Sequence, residues 1–303
     1  MASPAAKALI ALHERERRKI EIVGERVINR IAPQINAKLL TAFERGGDVL
    51  AVVNGQLDEL YTPLVMKAML AGHLEGKLRS ARQAAVALRK RKSMAAYDDA
   101  LKYLQKRLAL TDEQMAALME QYGNEAVKIT RGLAAETEKA VARAMQEILD
   151  KGMHVKQGVA TLRRELVTAG TGPLSPGLMN TFVRTQTAMA YSAGRWNGDQ
   201  DEAIQEILWG YEYVAQMDGR TRPTHQAMHG VRAAKDDPLW KTWWPPAGFQ
   251  CRCTTLEIMR EEKIANPKPP PDRFTADDGT VIRNPQPDDG WAFNPGEVFR
   301  EAA

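Results

Sequence analysis

Two histidines and two cysteines in the last third of the chain have spacings that could bring metal-binding side chains together. His225 and His229 are four residues apart, so a helical turn would place both imidazoles on one face. Cys251 and Cys253 are two residues apart, so an extended segment would place both thiols on one side. Two imidazoles and two thiolates form a ligand set that Zn²⁺ accepts in a tetrahedral structural site. These four residues are candidate metal ligands, and zinc is the candidate cofactor.

The same side chains allow other interpretations. The Cys-x-Cys spacing is tighter than in common zinc fingers, and a ligand set drawn from only some of the four residues fits equally well. Without a metal, the histidines would hydrogen-bond inside a small core, and the cysteines would pack there as weakly hydrophobic side chains. A disulfide between residues so close in sequence would be strained.

A catalytic site is the alternative of a different class. A metal-dependent nuclease could combine His225 and His229 with Asp218, since such sites need few ligands. However, the segment lacks the Glu that zinc proteases place directly after the first His. Asp218 precedes Gly219, a pair that is typical of a turn. We therefore expect a protein without catalytic residues and keep the nuclease as the alternative.

The elements that precede this cluster are expected to be helices, because apolar residues recur there every three or four positions. Thr62-Pro63 resembles an N-cap followed by Pro at the first helical position, Pro33 is expected to end or kink the first helix, and Gly123 is expected to break another. The predicted helices cover residues 5–31, 35–43, 64–88, 95–108, 114–122, 125–149, 155–166 and 178–195.

The hydrophobic pattern changes after residue 206, where aromatic and aliphatic residues predict strands at 207–217 and 254–259. Beyond residue 261 the chain is rich in proline and is expected to wrap the surface as an extended tail. The predicted class is α+β, with mainly α-helical N-terminal two thirds, a small β-containing C-terminal domain and a Pro-rich tail. The predicted segments are a basic helical region (1–110), a second helical region (111–200), a small α+β domain (201–260) and the tail (261–303).

Positive charge is concentrated in the first third of the chain. The formal net charge is +4, but residues up to Arg107 hold 20 Lys and Arg against 11 Asp and Glu. The densest basic run is Arg89-Lys90-Arg91-Lys92, which could contact phosphate or form a solvated helix face or loop. No apolar stretch approaches the roughly 20 residues of a membrane span, and the N-terminus lacks a signal-peptide core. We expect a cytosolic protein without membrane contact.

Two motifs surround the histidines and cysteines. The first is Asp218-Gly-Arg-Thr-Arg-Pro-Thr-His-Gln-Ala-Met-His-Gly230, and the second is Trp244-Pro-Pro-Ala-Gly-Phe-Gln-Cys-Arg-Cys253. An Arg-Thr-Gln at 184–186, an Asn-Gly at 197–198 and an Asn-Pro-Gly at 294–296 accompany them. Together these motifs resemble the phage head-morphogenesis family typified by phage Mu protein F. Many members carry Cys-x-x-Cys after the Arg-Thr pair, whereas this chain has Arg222 and His225 there, which leaves His229 as the substitute ligand or no metal at all.

The resemblance implies an assembly role. Family members are low-copy proteins of the procapsid interior that are incorporated near the portal, in some cases with DNA. We therefore expect a minor head protein of a tailed bacteriophage, located in the virion interior and, during assembly, in the host cytoplasm. The expected partners are the portal protein, the scaffold or major capsid protein, and DNA, with Arg89, Lys90, Arg91 and Lys92 as the portal or DNA contacts.

The motif residues are then expected to hold the small domain together. Arg220 and Arg252 would pair with Asp218, Asp236 or Asp237, while Trp240, Trp243, Trp244 and Phe249 would form its core. The full set of expected structural residues is Asp218, Arg220, Thr221, Gly230, Trp244, Pro245, Pro246 and Arg252.

Overall fold

The fold is α+β, which confirms the predicted class. A computed structural model describes residues 4–45, 47–91, 97–168, 176–262, 264–276 and 278–301. The longer helices are α1 (Pro4–Glu44), α2 (Val49–Gln56), α3 (Thr62–Arg91), α4 (Tyr97–Arg107), α5 (Asp112–Lys151), α6 (Val155–Thr168) and α7 (Pro176–Asp199). None of the helices in the described ranges combines the length and the hydropathy that crossing a bilayer requires.

Three predicted helix boundaries are wrong, because a continuous helix passes through each of these positions. Helix α1 runs through Pro33, and α5 runs through Gly123. Thr62 has helical backbone angles and is not an N-cap, because a π-helical segment (Leu57–Tyr61) joins α2 to α3 without interruption. A glycine inside a helix costs only about 1 kcal/mol relative to alanine. Burial of neighbours such as Tyr122 and Ala126 offsets that cost.

The chain divides into two compact units. Unit 1 comprises Met1–Lys19, Met69–Leu118 and Thr187–Ala303, and unit 2 comprises Ile20–Ala68 and Met119–Gln186. The division into the four predicted segments stays a prediction. Unit 2 has an apolar helical core in which the buried Tyr61 hydroxyl donates a hydrogen bond to the Met179 carbonyl at 2.9 Å.

The two predicted strands pair with each other in a small sheet of unit 1, with the first of them at its centre. Its strands are β1 (Leu208–Val214), β2 (Arg232–Ala234) and β3 (Thr254–Met259), in the antiparallel order β2-β1-β3. Tyr211 of β1 lies opposite Ala233 on one side and Glu257 on the other. The tail adds a hairpin of β4 (Arg273–Thr275) and β5 (Val281–Arg283). Among its described residues, the unit also contains four short helices. They are α8 (Glu202–Gln205), α9 (Pro223–Met228), α10 (Leu239–Thr242) and α11 (Pro295–Val298).

Within unit 1, helices α3 and α7 cross in direct backbone contact. A Cβ atom on Gly194 would lie 1.9 Å from the carbonyl oxygen of His73, and one on Gly76 would lie 2.1 Å from that of Tyr191. Real Cβ atoms do not approach backbone oxygens so closely, so both positions require glycine. The crossing places Arg195 of α7 against Thr255 of β3 and Ser192 against Pro245.

We expect Gly194→Ala to lower the free energy of unfolding of unit 1 by about 1–3 kcal/mol, because the added methyl group must separate two backbones. All six tryptophans lie in unit 1, so urea unfolding followed by tryptophan fluorescence monitors that unit alone. Gly132→Ala is the matched control, because a Cβ there meets nothing within 4 Å. It should not destabilise unit 2 when unfolding is followed by circular dichroism. A Gly194→Ala protein as stable as the wild type would contradict the backbone contact.

Candidate metal centre

His225, Cys251 and Cys253 come together in the interior of unit 1. Helix α9 carries His225 and begins with Pro223, which favours the first helical position because it has no amide hydrogen to satisfy. The two cysteines lie just before β3, and both are free thiols. None of the three residues is more than 5% exposed.

The donor atoms of these residues form one compact group. The Nδ1 atom of His225 lies 3.6 Å from the Cys251 sulfur and 3.5 Å from the Cys253 sulfur. All three donor atoms lie within 4.8 Å of one another. Imidazole nitrogen and thiolate sulfur are donors that Zn²⁺ prefers, so the residues present fit a metal of this kind.

Asp288 of the tail contacts the other side of the His225 ring. Its Oδ1 atom lies 3.5 Å from His225 Nε2, and its Oδ2 atom lies 3.1 Å from Nε of Arg222. Its backbone amide donates to the Ala247 carbonyl at 3.1 Å. Asp288 is not identifiable from the sequence, because nothing in its spacing relates a residue of the Pro-rich tail to α9.

The two thiols differ in acidity. Hydrogen bonding with Cys253 lowers the pKa of the Cys251 thiol well below its usual value, and the His225 ring adds to this effect. The same contact raises the pKa of the Cys253 thiol, and burial raises it further. The backbone amide of Cys253 also donates to the Cys251 sulfur at 3.4 Å. Cys251 is therefore the thiol that ionises first.

His229 lies outside this group. Its Nδ1 atom accepts a hydrogen bond from the backbone amide of Ala215 at 3.3 Å. Burial lowers the pKa of the imidazole, which favours its neutral form. Of the four predicted ligands, the structure thus brings three together and assigns the fourth to a backbone contact.

Asp218 is engaged in an ion pair. The Arg252 guanidinium donates to both carboxylate oxygens, to Oδ2 at 2.6 Å and to Oδ1 at 2.5 Å. The Arg220 amide donates to Oδ1 at 3.0 Å, as in an Asx turn. These bonds hold the pKa of Asp218 well below its usual value, and those from Arg252 have the largest effect. Among the described residues, the three nuclease candidates do not meet in one group of metal-binding atoms.

The other motif residues lie around this group. Thr221 donates from its hydroxyl to the Gln216 carbonyl, and Gly230 adopts a positive φ of 78°. Ser192 donates to the carbonyl of Pro245, which precedes a cis peptide bond to Pro246. The tryptophans Trp240, Trp243 and Trp244 are buried, as expected, whereas Phe249 is 46% exposed and so is not a core residue.

The basic run lies at the end of α3. Arg89 is exposed. The side chains of Lys90 and Arg91, and residue Lys92, lie outside the described residues. Their role as portal or DNA contacts stays a prediction.

Comparison with known proteins supports the resemblance. Residues 128–256 match the family model described as phage Mu protein F like protein. A protein F of Escherichia phage Mu, named for capsid assembly, is 30% identical over 147 residues, which cover 41% of this chain and 33% of that protein. An F protein of a Mu-like prophage of Haemophilus influenzae is 39% identical over 90 residues, 30% of this chain and 21% of the relative.

The chain thus spans a third or less of the length of these relatives. No solved structure gives a significant match. The matched region contains α9, β1, β2, both cysteines and the first half of β3. It therefore includes the two main motifs that carry the resemblance but not the Asn-Pro-Gly at 294–296. Residues 128–256 are therefore similar to the phage Mu protein F like family.

Proposed function

We propose that this chain is a minor head protein that takes part in the assembly of a tailed-phage capsid. The observation that carries the proposal is the family match over residues 128–256, together with a relative whose name refers to capsid assembly. The proposal extends to the whole chain a role that the relative's name gives to a longer protein.

The partners that fit this role are other head components. The portal protein, the scaffold or the major capsid protein would bind the chain, and DNA is a further candidate. The supporting observation is charge, because helix α4 exposes Lys102 and Lys106 and the end of α3 exposes Arg89. An exposed basic surface attracts phosphate or an acidic protein face. The chain would then reside in the virion interior after assembly in the host cytoplasm.

We further propose that the role is structural and not enzymatic. A nuclease built on Asp218 would need a carboxylate available for a metal, but the Asp218 carboxylate binds Arg252 through two short hydrogen bonds. His229 is likewise engaged by the Ala215 amide. The polar residues of the motifs thus hold the small domain together.

The test is a stop codon at the start of the gene in its phage or prophage, with the wild-type chain supplied from a plasmid as control. We expect particle yield by electron microscopy and infectious titre to fall without the chain and to recover with it. The chain should also co-sediment with proheads. Normal heads and normal titre without the chain would contradict the proposal.

A nuclease assay separates the alternative function. Purified protein should leave supercoiled plasmid intact in the presence of Mg²⁺, Mn²⁺ or Zn²⁺. Cleavage that disappears in His225→Ala, with the fold retained by circular dichroism, would replace the assembly proposal with the nuclease.

A further inference from the structure

We propose that His225, Cys251 and Cys253 bind one zinc ion and that Asp288 positions the histidine for it. This is one of the partial ligand sets that the sequence left open. His229 binds the Ala215 amide instead, and among the described residues no other His, Cys, Asp or Glu joins the group. Three protein donors leave the fourth tetrahedral position of zinc to a solvent molecule.

The donor spacing already suits the ion. With Zn–S bonds of about 2.3 Å and Zn–N bonds of about 2.0–2.1 Å, tetrahedral angles place a nitrogen and a sulfur ligand about 3.6 Å apart. The two Nδ1–sulfur distances at His225 are 3.6 and 3.5 Å. An ion could therefore bind without separating α9 from the segment that precedes β3.

The Asp288 carboxylate selects the tautomer that such a site requires. It faces Nε2 of His225 at 3.5 Å, so the ring proton is favoured on Nε2 and the lone pair of Nδ1 is directed at the two sulfurs. Histidines that bind metals commonly donate their second N–H to a carboxylate, which fixes the ring and raises its basicity. Arg222 holds the other oxygen of Asp288 at 3.1 Å, so the carboxylate is itself oriented.

A metal uses this arrangement more completely than hydrogen bonds do. One lone pair on Nδ1 can accept a proton from only one of the two thiols at a time, so the second thiol must donate to the other sulfur, which is a weak acceptor. In addition, His225 Nε2 is buried and makes no hydrogen bond of good geometry. An ion would engage both sulfurs and Nδ1 together, and its charge would polarise the Nε2–H group and so strengthen the interaction with Asp288.

The proposed ion would tie three segments of unit 1 to one another. His225 belongs to α9, the cysteines precede β3, and Asp288 belongs to the tail. Asp288 also binds the Ala247 carbonyl through its amide. Zinc binding should therefore protect the tail near Asp288 from proteolysis, which a purely local site would not do.

The first experiment measures metal in purified, reduced protein after incubation with zinc sulfate and desalting. We expect about one zinc per chain, as a single site of this kind holds one ion. Substitution with Co²⁺ should give thiolate-to-cobalt absorption in the near ultraviolet. The variants His225→Gln, Cys251→Ser and Cys253→Ser should each lose most of the bound metal.

His229→Gln is the matched control, because it changes a histidine four residues away that the proposal leaves out. It should retain the zinc of the wild type. Asp288→Asn should keep the stoichiometry at saturating zinc but weaken affinity by about 10–100-fold, measured by competition with a chromophoric chelator. The same variant should lose the zinc-dependent protection of the tail.

Two results would overturn the proposal. The first is wild-type protein that binds no zinc and gives no cobalt spectrum, a measurement that does not depend on whether any variant folds. The second is loss of zinc in His229→Gln equal to that in His225→Gln. Either result concerns purified protein only and leaves the head-assembly proposal to its own genetic test.

Discussion

Arg195→Met is expected to lower the free energy of unfolding of unit 1 by about 3–5 kcal/mol, the usual cost of leaving a buried charge without its partner. Arg195 is 1% exposed and ion-pairs with the buried Glu257. Its guanidinium also donates to the Thr254 hydroxyl at 2.9 Å and to the Thr255 carbonyl at 2.8 Å. Methionine fills similar space but leaves the Glu257 carboxylate buried without a cation. Urea unfolding followed by tryptophan fluorescence measures the loss.

Two controls separate this buried pair from ordinary ion pairs. Arg107 pairs with Asp201 but is 36% exposed, so Arg107→Met should cost only about 0–1 kcal/mol. The double variant Arg195→Met/Glu257→Met removes both charges and should be more stable than Arg195→Met alone, because no charge of the pair is left buried. An Arg195→Met protein within about 1 kcal/mol of the wild type would contradict the paired arrangement, since breaking a buried pair costs more than that.

The neighbouring Asp199 behaves differently, because burial favours the neutral form of its carboxyl group. Burial raises its pKa well above the usual value, and the Glu257 carboxylate raises it further. Its Oδ1 atom accepts a hydrogen bond from the Ser80 hydroxyl at 2.6 Å. Stability from this group is present below the unfolded pKa of about 3.9 and declines as pH rises toward the folded pKa. Asp199→Asn keeps the acceptor and should remove that decline, so it should be tolerated at neutral pH.

Helical periodicity predicted most of the helices, because an apolar stripe that repeats every three or four residues requires only local information. Helix boundaries were less accessible, as Pro33 and Gly123 show. A local breaker costs a few kcal/mol at most. Packing of distant residues against the same helix can exceed that cost, and a single sequence does not show which residues those are.

The candidate site was predictable in its residue types but not in its pairing. The four-residue spacing of His225 and His229 makes both histidines equally good candidate metal ligands. What distinguishes them is Ala215, directly after β1, because its amide donates a hydrogen bond to His229. The contacts of Asp288 and the Arg195–Glu257 pair could not be predicted from the sequence for a related reason. Their partners are far away in sequence, and buried charged residues are too rare to be expected from composition.

Trp244→Ala is expected to destabilise unit 1 by about 3–5 kcal/mol, the range for removing a large buried aromatic side chain. The Trp244 ring is fully buried and meets the Tyr211 ring edge-on at 4.7 Å and the Trp196 ring at 4.8 Å between centroids. Its Nε1 atom donates to the Ser192 carbonyl at 3.2 Å. Alanine would leave a cavity between α7 and the sheet and an acceptor on Ser192 without this donor. Urea unfolding followed by the fluorescence of the remaining tryptophans provides the measurement.

Two further variants identify what the Trp244 ring contributes. Trp244→Phe keeps an aromatic ring but removes the donor to Ser192. It should lower the free energy of unfolding less than Trp244→Ala does, and its effect combines the loss of volume with the loss of the hydrogen bond. Val298→Ala changes an apolar residue that is 55% exposed and should alter stability by no more than about 0.5 kcal/mol. Because Trp244 lies seven residues before Cys251 in the same motif, the alanine variant should also bind zinc more weakly if the proposed site is correct. Equal losses for Trp244→Ala and Val298→Ala would show that the aromatic cluster does not stabilise the domain.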